Sequence, residues 1–281
     1  EFPTTYTNYC GDVDLIGDKK PQGRYRDVLW DLSPLEILVH EPVPAGMVET
    51  TGLWGWPQEQ ARWYWPGHEG KSFQVRVFTK APQVRLEVNG EAVGVQKTNR
   101  EHIALFEGVT YRPGKLVAVS LDAEGRELES RVLRTPGKPV SVRLLRERYN
   151  IDNELVYLKA EVIDEDGIVV PEVFPLTFDI RGASFVSAGN GGPDDMASFR
   201  SRTPKTWSGA ALLIVRPDGP DARVEVTAAS EGLASGTAVF DGAGRDLAPK
   251  NIGVGLCSVI GIGADFEDSV RRIAQTGASH V

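Results

Sequence analysis

The chain has 281 residues, enough for about two domains. It carries 31 basic and 39 acidic side chains, a net charge of −8, with 41% hydrophobic residues, 30 glycines and 18 prolines, which argues against disorder and against a helical bundle. No basic block supports binding to nucleic acid or to an anionic membrane, and no apolar run reaches the ~20 residues of a membrane helix. The two cysteines, Cys10 and Cys257, are too few for a disulfide framework or a cysteine-rich zinc site.

In chain order, the first element is a short helix over Gln22–Trp30, with Tyr25, Val28 and Leu29 apolar and Pro21 in its first turn. It has nothing of its own to pack on, so it is expected to dock on a domain outside this chain or on the sandwich that follows. Alternating runs separated by turn signals then recur about every 8–12 residues, the pattern of β-sandwiches. Phe73, Val75 and Val77 point one way, with Gln74 and Arg76 the other. Val84, Leu86 and Val88 repeat the scheme and run into Asn89-Gly90, a strong hairpin turn. Strands over Ala92–Lys97, Lys115–Leu121 and Glu127–Leu133 complete a first sandwich at residues 37–137.

Pro136-Gly137-Lys138-Pro139 reads as a linker. Runs at Val140–Leu145, Leu155–Ile163, Ile168–Val170, Leu176–Ile180, Phe185–Ser187, Trp207–Val215, Ala222–Ala229 and Gly236–Phe240 predict an immunoglobulin-like sandwich at 138–242, without the Cys–Trp–Cys core of antibody domains. The tail at 243–281 reads as a strand, Ile252–Gly263, and an amphipathic helix, Ala264–Thr276, capped by Gly277. A parallel β-α unit cannot bury itself alone, so the tail is expected to begin a further domain, and the chain reads as a piece of a longer polypeptide. The predicted fold class is all-β: two tandem immunoglobulin-like sandwiches between a short N-terminal segment and a partial β-α tail.

Three stretches resemble the C-terminal part of glycoside hydrolase family 2 enzymes of the bacterial β-galactosidase type. Tyr9–Trp30, with Asp14-Leu-Ile-Gly-Asp-Lys-Lys20, is similar to the end of that family's catalytic (β/α)8 barrel, so residues 1–36 would be its remnant. Trp63-Tyr-Trp-Pro-Gly-His-Glu-Gly-Lys71, with Val75–Thr79 and Val84–Gly94, resembles the first sandwich after the barrel. Ala160–Pro171, with Gly189-Asn-Gly-Gly-Pro193 and Ser230–Leu233, is similar to the immunoglobulin-like domain beyond it. The tail after about residue 245 does not fit that pattern.

The resemblance implies retaining hydrolysis of terminal β-glycosides by two barrel glutamates ~5 Å apart, one the acid and one the nucleophile. Neither maps onto this sequence: Glu36, Glu41 and Glu69 lack the motif context, so the chain is expected to be inactive alone. It implies as partners the upstream barrel of the same polypeptide and β-linked saccharides, with no cofactor, and a periplasmic or secreted location that no segment here tests. The candidate saccharide contacts are Trp54, Trp56, Trp63 and Trp65, four tryptophans within twelve residues, with His68 beside them. Exposed aromatic faces mark binding sites, but each such ring also buries ~150–250 Å² when it fills a core or an interface. Asp12 and Asp14 are read as loop carboxylates of the barrel end, and Asp164–Asp166 and Asp194-Asp195 as solvated turns. Gly189–Gly192 lacks the Lys-Ser/Thr ending of a phosphate loop, and no His/Cys cluster points to a metal. Two other functions compete: a stand-alone carbohydrate-binding module using the Trp cluster, and a structural or adhesive immunoglobulin-like array.

Overall fold

Apolar side chains at every second position mark many of the strands of this chain, and the computed structural model describes residues 11–51, 55–147 and 154–242. The predicted tail, Trp54, Cys10 and Cys257 lie outside those residues. The described residues are all-β apart from one helix and short turns, and they form two β-sandwiches in two compact units.

The first unit comprises residues 11–12 and 19–135. Its helix α1 spans Pro21–Leu29, with extended Lys20 before it and Pro21 at the first helical position, where a missing N–H costs nothing. Gly23 lies against the chain at Asp12, whose carbonyl oxygen would sit 2.5 Å from an added Cβ, so only glycine permits that approach. Val28 packs with Leu38 and Phe78, flanked by Tyr25, Trp56 and Ile103, so the helix docks on its own sandwich. The strands are β1 Glu36–His40, β2 Glu59–Gln60, β3 Ser72–Phe78, β4 Gln83–Val88, β5 Glu91–Lys97, β6 Ile103–Thr110, β7 Lys115–Leu121 and β8 Glu127–Arg134. They form antiparallel sheets in the orders β2-β1-β3-β6 and β5-β4-β7-β8.

The core between these sheets contains Ile37, Val39, Trp63, Val75, Val77, Val84, Leu86, Phe106 and Leu116. In β1 the alternation disappears, because Ile37 and Val39 face this core while Leu38 on the opposite face meets the helix. Buried Glu36 is held by Arg131 at 2.7 Å, the Ser33 hydroxyl at 2.8 Å and Arg24 at 3.6 Å. The β4–β5 hairpin turns through Asn89 and Gly90 at φ 54° and 84°, the paired left-handed geometry of a type I′ turn. Strand β6 was not expected from the sequence. It carries a bulge at Glu107-Gly108, with Gly108 at φ 70°, which breaks its period-two pattern.

The second unit comprises residues 13–18 and 136–242. Its strands are β9 Ser141–Glu147, β10 Val156–Ile163, β11 Thr177–Arg181, β12 Ala183–Gly189, β13 Ala210–Pro217, β14 Arg223–Ala229 and β15 Gly236–Asp241. The sheets run β12-β13-β10-β9 and β11-β14-β15 around Leu158, Ala160, Leu176, Leu213, Val215 and Val226. Two local expectations are corrected. Ile168–Val170 forms one isolated bridge, Ile163 to Val169, after the Asp166-Gly167 turn, and no strand. Strand β13 begins at Ala210, because Ser208 at φ 50° and Gly209 at φ 80° close a tight turn in which Trp207 and Ala210 exchange backbone hydrogen bonds.

Candidate functional site

The tryptophan-rich connection before β3 is built around two rings that fill the core. Trp63 is 0% exposed. Its indole Nε1 donates to the Arg112 carbonyl at 2.9 Å, and its ring meets the Tyr111 ring edge-on at 4.9 Å. The Thr135 hydroxyl donates to the Trp63 carbonyl at 2.6 Å, tying the end of β8 to this segment. Trp65 is 5% exposed and stacks on Phe73 at 5.5 Å, and its backbone N–H donates to the Tyr111 hydroxyl at 3.1 Å.

The Arg62 guanidinium lies 4.6 Å from the centre of the Trp65 ring. Burial lowers the basicity of that guanidinium, and Glu41, at 3.9 Å, opposes the shift. Two donors of this pair, Arg62 Nε and Trp65 Nε1, are buried with no hydrogen-bond partner among the described residues. An unmet buried donor costs about 1–3 kcal/mol, so the pair is a local deficit in this core, as is buried Glu36 Oε2.

His68 sits in the turn that follows. Its backbone N–H donates to the Trp65 carbonyl at 3.1 Å, its Nδ1 lies 3.3 Å from the Pro66 carbonyl, and its ring edge faces Phe73 at 6.2 Å. Gly67 and Gly70, both at φ 79°, shape the turn, and Glu69 is exposed, accepting from the Gly67 N–H at 3.3 Å.

Trp56 belongs to a different cluster. Its Nε1 donates to Glu59 Oε2 at 2.9 Å, and its ring is covered by Arg76 at 4.8 Å, Tyr25 at 5.5 Å and Phe78 at 6.3 Å. The Glu59 carboxylate is fully buried and takes a two-pronged contact from Arg76, Nε and Nη2 each at 2.5 Å. The described candidates therefore divide: Trp63, Trp65 and His68 gather around Phe73, while Trp56 joins the helix. Stacking on a sugar requires an open ring face; Trp63 has none and Trp65 very little.

The residues that complete these clusters, Arg62, Glu59, Arg76 and Tyr111, carry no local sequence signal, because each is defined by partners distant along the chain. In the second unit the signal was present but unassigned. A Cβ at Gly191 would fall 2.0 Å from Asp14 Oδ2, so the glycine run Gly189–Gly192 serves close approach. Asp14 Oδ1 accepts from the backbone N–H groups of Ile16 and Asp18, each at 2.9 Å. Burial, with the neighbouring Asp18 charge, raises the Asp14 carboxyl to about 6. Lys159 reaches Asp18 at 2.5 Å and Glu161 at 3.6 Å, and Ile16 packs on Ala210 and Leu212. Asn190 Nδ2 donates to Asp195 at 2.6 Å and to the Lys205 carbonyl at 2.9 Å, fixing the loop. Among the described residues no group of three His, Cys, Asp or Glu side chains is placed to hold a metal, and no helix is long and apolar enough to cross a membrane.

Comparison with known proteins places both sandwiches. Residues 145–239 match the family model described as glycoside hydrolase family 2 C-terminal domain 5, and residues 70–129 match a domain of unknown function, DUF4982. Over 242 residues the chain is 27% identical to beta-galactosidase BoGH2A of Bacteroides ovatus, covering 82% of this chain and 26% of that protein. A glycosyl hydrolase family 2 member from Bacteroides cellulosilyticus superposes with TM-score 0.75 at 32% identity, over 83% of this chain and 31% of the other. A beta-glucuronidase of the same family shares the fold at TM-score 0.64 and 19% identity, over 82% of this chain and 22% of its own. The chain thus spans between about a fifth and a third of the length of these relatives. It belongs to glycoside hydrolase family 2, as a part of that family's C-terminal β-sandwich region.

Proposed function

We propose that this chain is the non-catalytic C-terminal part of a retaining β-glycosidase of the β-galactosidase type. Its sandwiches brace the catalytic barrel, and the 55–69 segment backs the wall of the sugar pocket. The observation that carries this reading is the Arg62–Trp65 pair, two stacked side chains with buried donors that find no acceptor among the described residues. A shift of this segment on docking would bring them within reach of a carbonyl or carboxylate of the barrel. The aromatic rings behind the pair, Phe73, Tyr111 and Trp63, give such a contact a stiff backing. The β-galactosidase type follows the 27% identical curated relative, and the β-glucuronidase neighbour lends support to the fold alone.

In such an enzyme one carboxylic acid protonates the leaving oxygen while a carboxylate ~5 Å away attacks the anomeric carbon. Both would come from the barrel. The test compares this chain with the parent polypeptide on nitrophenyl β-galactoside and β-glucuronide. The chain alone is expected to release no nitrophenol, and the parent to prefer the galactoside. Hydrolysis by the chain alone would overturn the non-catalytic role, and a preference for the glucuronide would overturn the substrate type. In the parent, Arg62→Met is expected to lower the melting temperature of the barrel; an unchanged barrel transition would count against bracing through this pair.

A further inference from the structure

Strand β12 lies at the edge of its sheet, and its ladder with β13 slips between Phe185 and Ser187. Such a bulge re-aims the side chains around it. The loop that follows folds back along this edge: the Phe199 carbonyl accepts from the Ala188 N–H at 2.9 Å and from the Ser187 hydroxyl at 3.1 Å. A Cβ at Gly189 would lie 2.6 Å from the Phe199 ring, so that glycine provides the seat of the ring. The result is a groove of about 320 Å³ lined by Phe185, Val186, Ser187, Phe199, Arg200 and Arg216. Its volume is at the small end of the ~300–1,000 Å³ typical of ligand pockets.

The electrostatics of the groove run against those of the chain. Acidic residues outnumber basic ones by 39 to 31, yet none lines the groove. Arg200 and Arg216 are exposed, as is Arg202, whose guanidinium sits 5.1 Å from the centre of the Phe185 ring. Elsewhere in this unit Arg143 is paired with Glu161 and Arg181 with Asp179, whereas no ion pair engages Arg200, Arg202 or Arg216 among the described residues. Guanidinium forks match carboxylates two-pronged, and phenylalanine rings cover an apolar C–H face.

We propose that this groove is an accessory binding site for a carboxylate-bearing pyranose, a uronic acid unit of an acidic saccharide. The arginines take the carboxylate, the Phe185 and Phe199 rings bound the sugar's apolar side, and Ser187 faces its hydroxyls. A neutral sugar leaves the guanidiniums unmatched. A densely charged polyanion meets a net charge of −8. A peptide adding to the β12 edge competes with the Phe199 carbonyl already bonded there. The site lies in the second sandwich and is independent of the proposed barrel contact.

The experiment is calorimetric titration of the 281-residue chain at low salt with four probes: trigalacturonate, its methyl ester, galactotriose and a glutamate-rich hexapeptide. Trigalacturonate is expected to bind at least about tenfold more tightly than the other three, since a charge-assisted hydrogen bond is worth about a factor of ten or more. Arg216→Gln and Arg200→Gln are each expected to weaken it by about tenfold, and added salt to weaken it further. No binding at millimolar trigalacturonate overturns the proposal, as does equal binding of the ester. Tighter binding of the peptide reassigns the groove to a protein partner and also overturns it. Unchanged affinity in both arginine variants, with melting curves matching the parent chain, shows that the ligand lies elsewhere.

Discussion

Replacing Asp14 with asparagine should stabilise the second unit above pH ~4, and fully only above pH ~6. The carboxyl is raised from 3.8 to about 6 in the folded chain, chiefly by burial and next by the charge of Asp18. Below pH ~4 it is protonated in folded and unfolded chains alike and costs nothing. As the pH rises from ~4 to ~6 the unfolded chain releases this proton first, so stability falls; above ~6 the full cost is present. A shift of 6 − 3.8 = 2.2 pH units corresponds to about 3 kcal/mol at ~1.36 kcal/mol per unit, and water reaching this half-buried site trims it to about 1–2 kcal/mol. Asparagine keeps the oxygen that accepts from Ile16 and Asp18 and removes the charge. Scanning calorimetry of both chains from pH 4 to 8 is the assay. A variant that melts about 3–6 °C higher at pH 8, with the difference vanishing at pH 4, is expected. A lower melting point at pH 8 would mean that attraction to Lys159 outweighs burial, and a pH-independent difference would show that titration of Asp14 is not the cause.

Other perturbations separate packing from polar effects. Trp63→Ala should cost about 3–5 kcal/mol by urea unfolding, because a ring with no exposed surface leaves a cavity. Trp63→Phe isolates the bond to the Arg112 carbonyl and should cost less than the alanine variant. Arg76→Met leaves Glu59 buried without its two-pronged partner and should cost about 3–5 kcal/mol, whereas the double variant Arg76→Met with Glu59→Leu should recover most of that loss. Gly209→Ala should cost at least about 1–2 kcal/mol for the left-handed backbone at φ 80°, with more from a Cβ 2.3 Å from the Val170 carbonyl; tolerance of alanine in thermal melts would mean that the turn relaxes.

How far the sequence reached depended on whether the deciding contact was local. The Val84–Val88 strand and its Asn89-Gly90 turn are written in neighbouring residues, and they fold as read. Pro21 marked the helix for the same reason. Strand β1 was passed over because burial on both faces leaves no alternation to read, and β6 because its bulge breaks the period. For Trp63 and Trp65, two-residue spacing places both rings on one face of an extended chain, but that face can meet core or solvent equally well. Phe73 and Tyr111, which decide the matter, are supplied by other segments. The glycines at 189–192 could be read only as lacking the ending of a phosphate loop, because Asp14, which they approach, lies far back along the chain.

That last separation has a consequence for synthesis. Residues 13–18 belong to the second unit, although residues 19–135 form the first. Asp14 leaves the ribosome 191 − 14 = 177 residues ahead of Gly191, so at about 5–20 residues per second the strap waits roughly 10–35 s for its seat. During that interval the first sandwich can complete itself while Ile16 and Asp18 remain unclaimed. A polypeptide begun at residue 136 would make every strand of the second sandwich and still lack Asp18, the carboxylate 2.5 Å from Lys159. The first sandwich is thus, in the order of translation, an insertion inside its neighbour, and the neighbour is finished only by residues made before either sandwich existed.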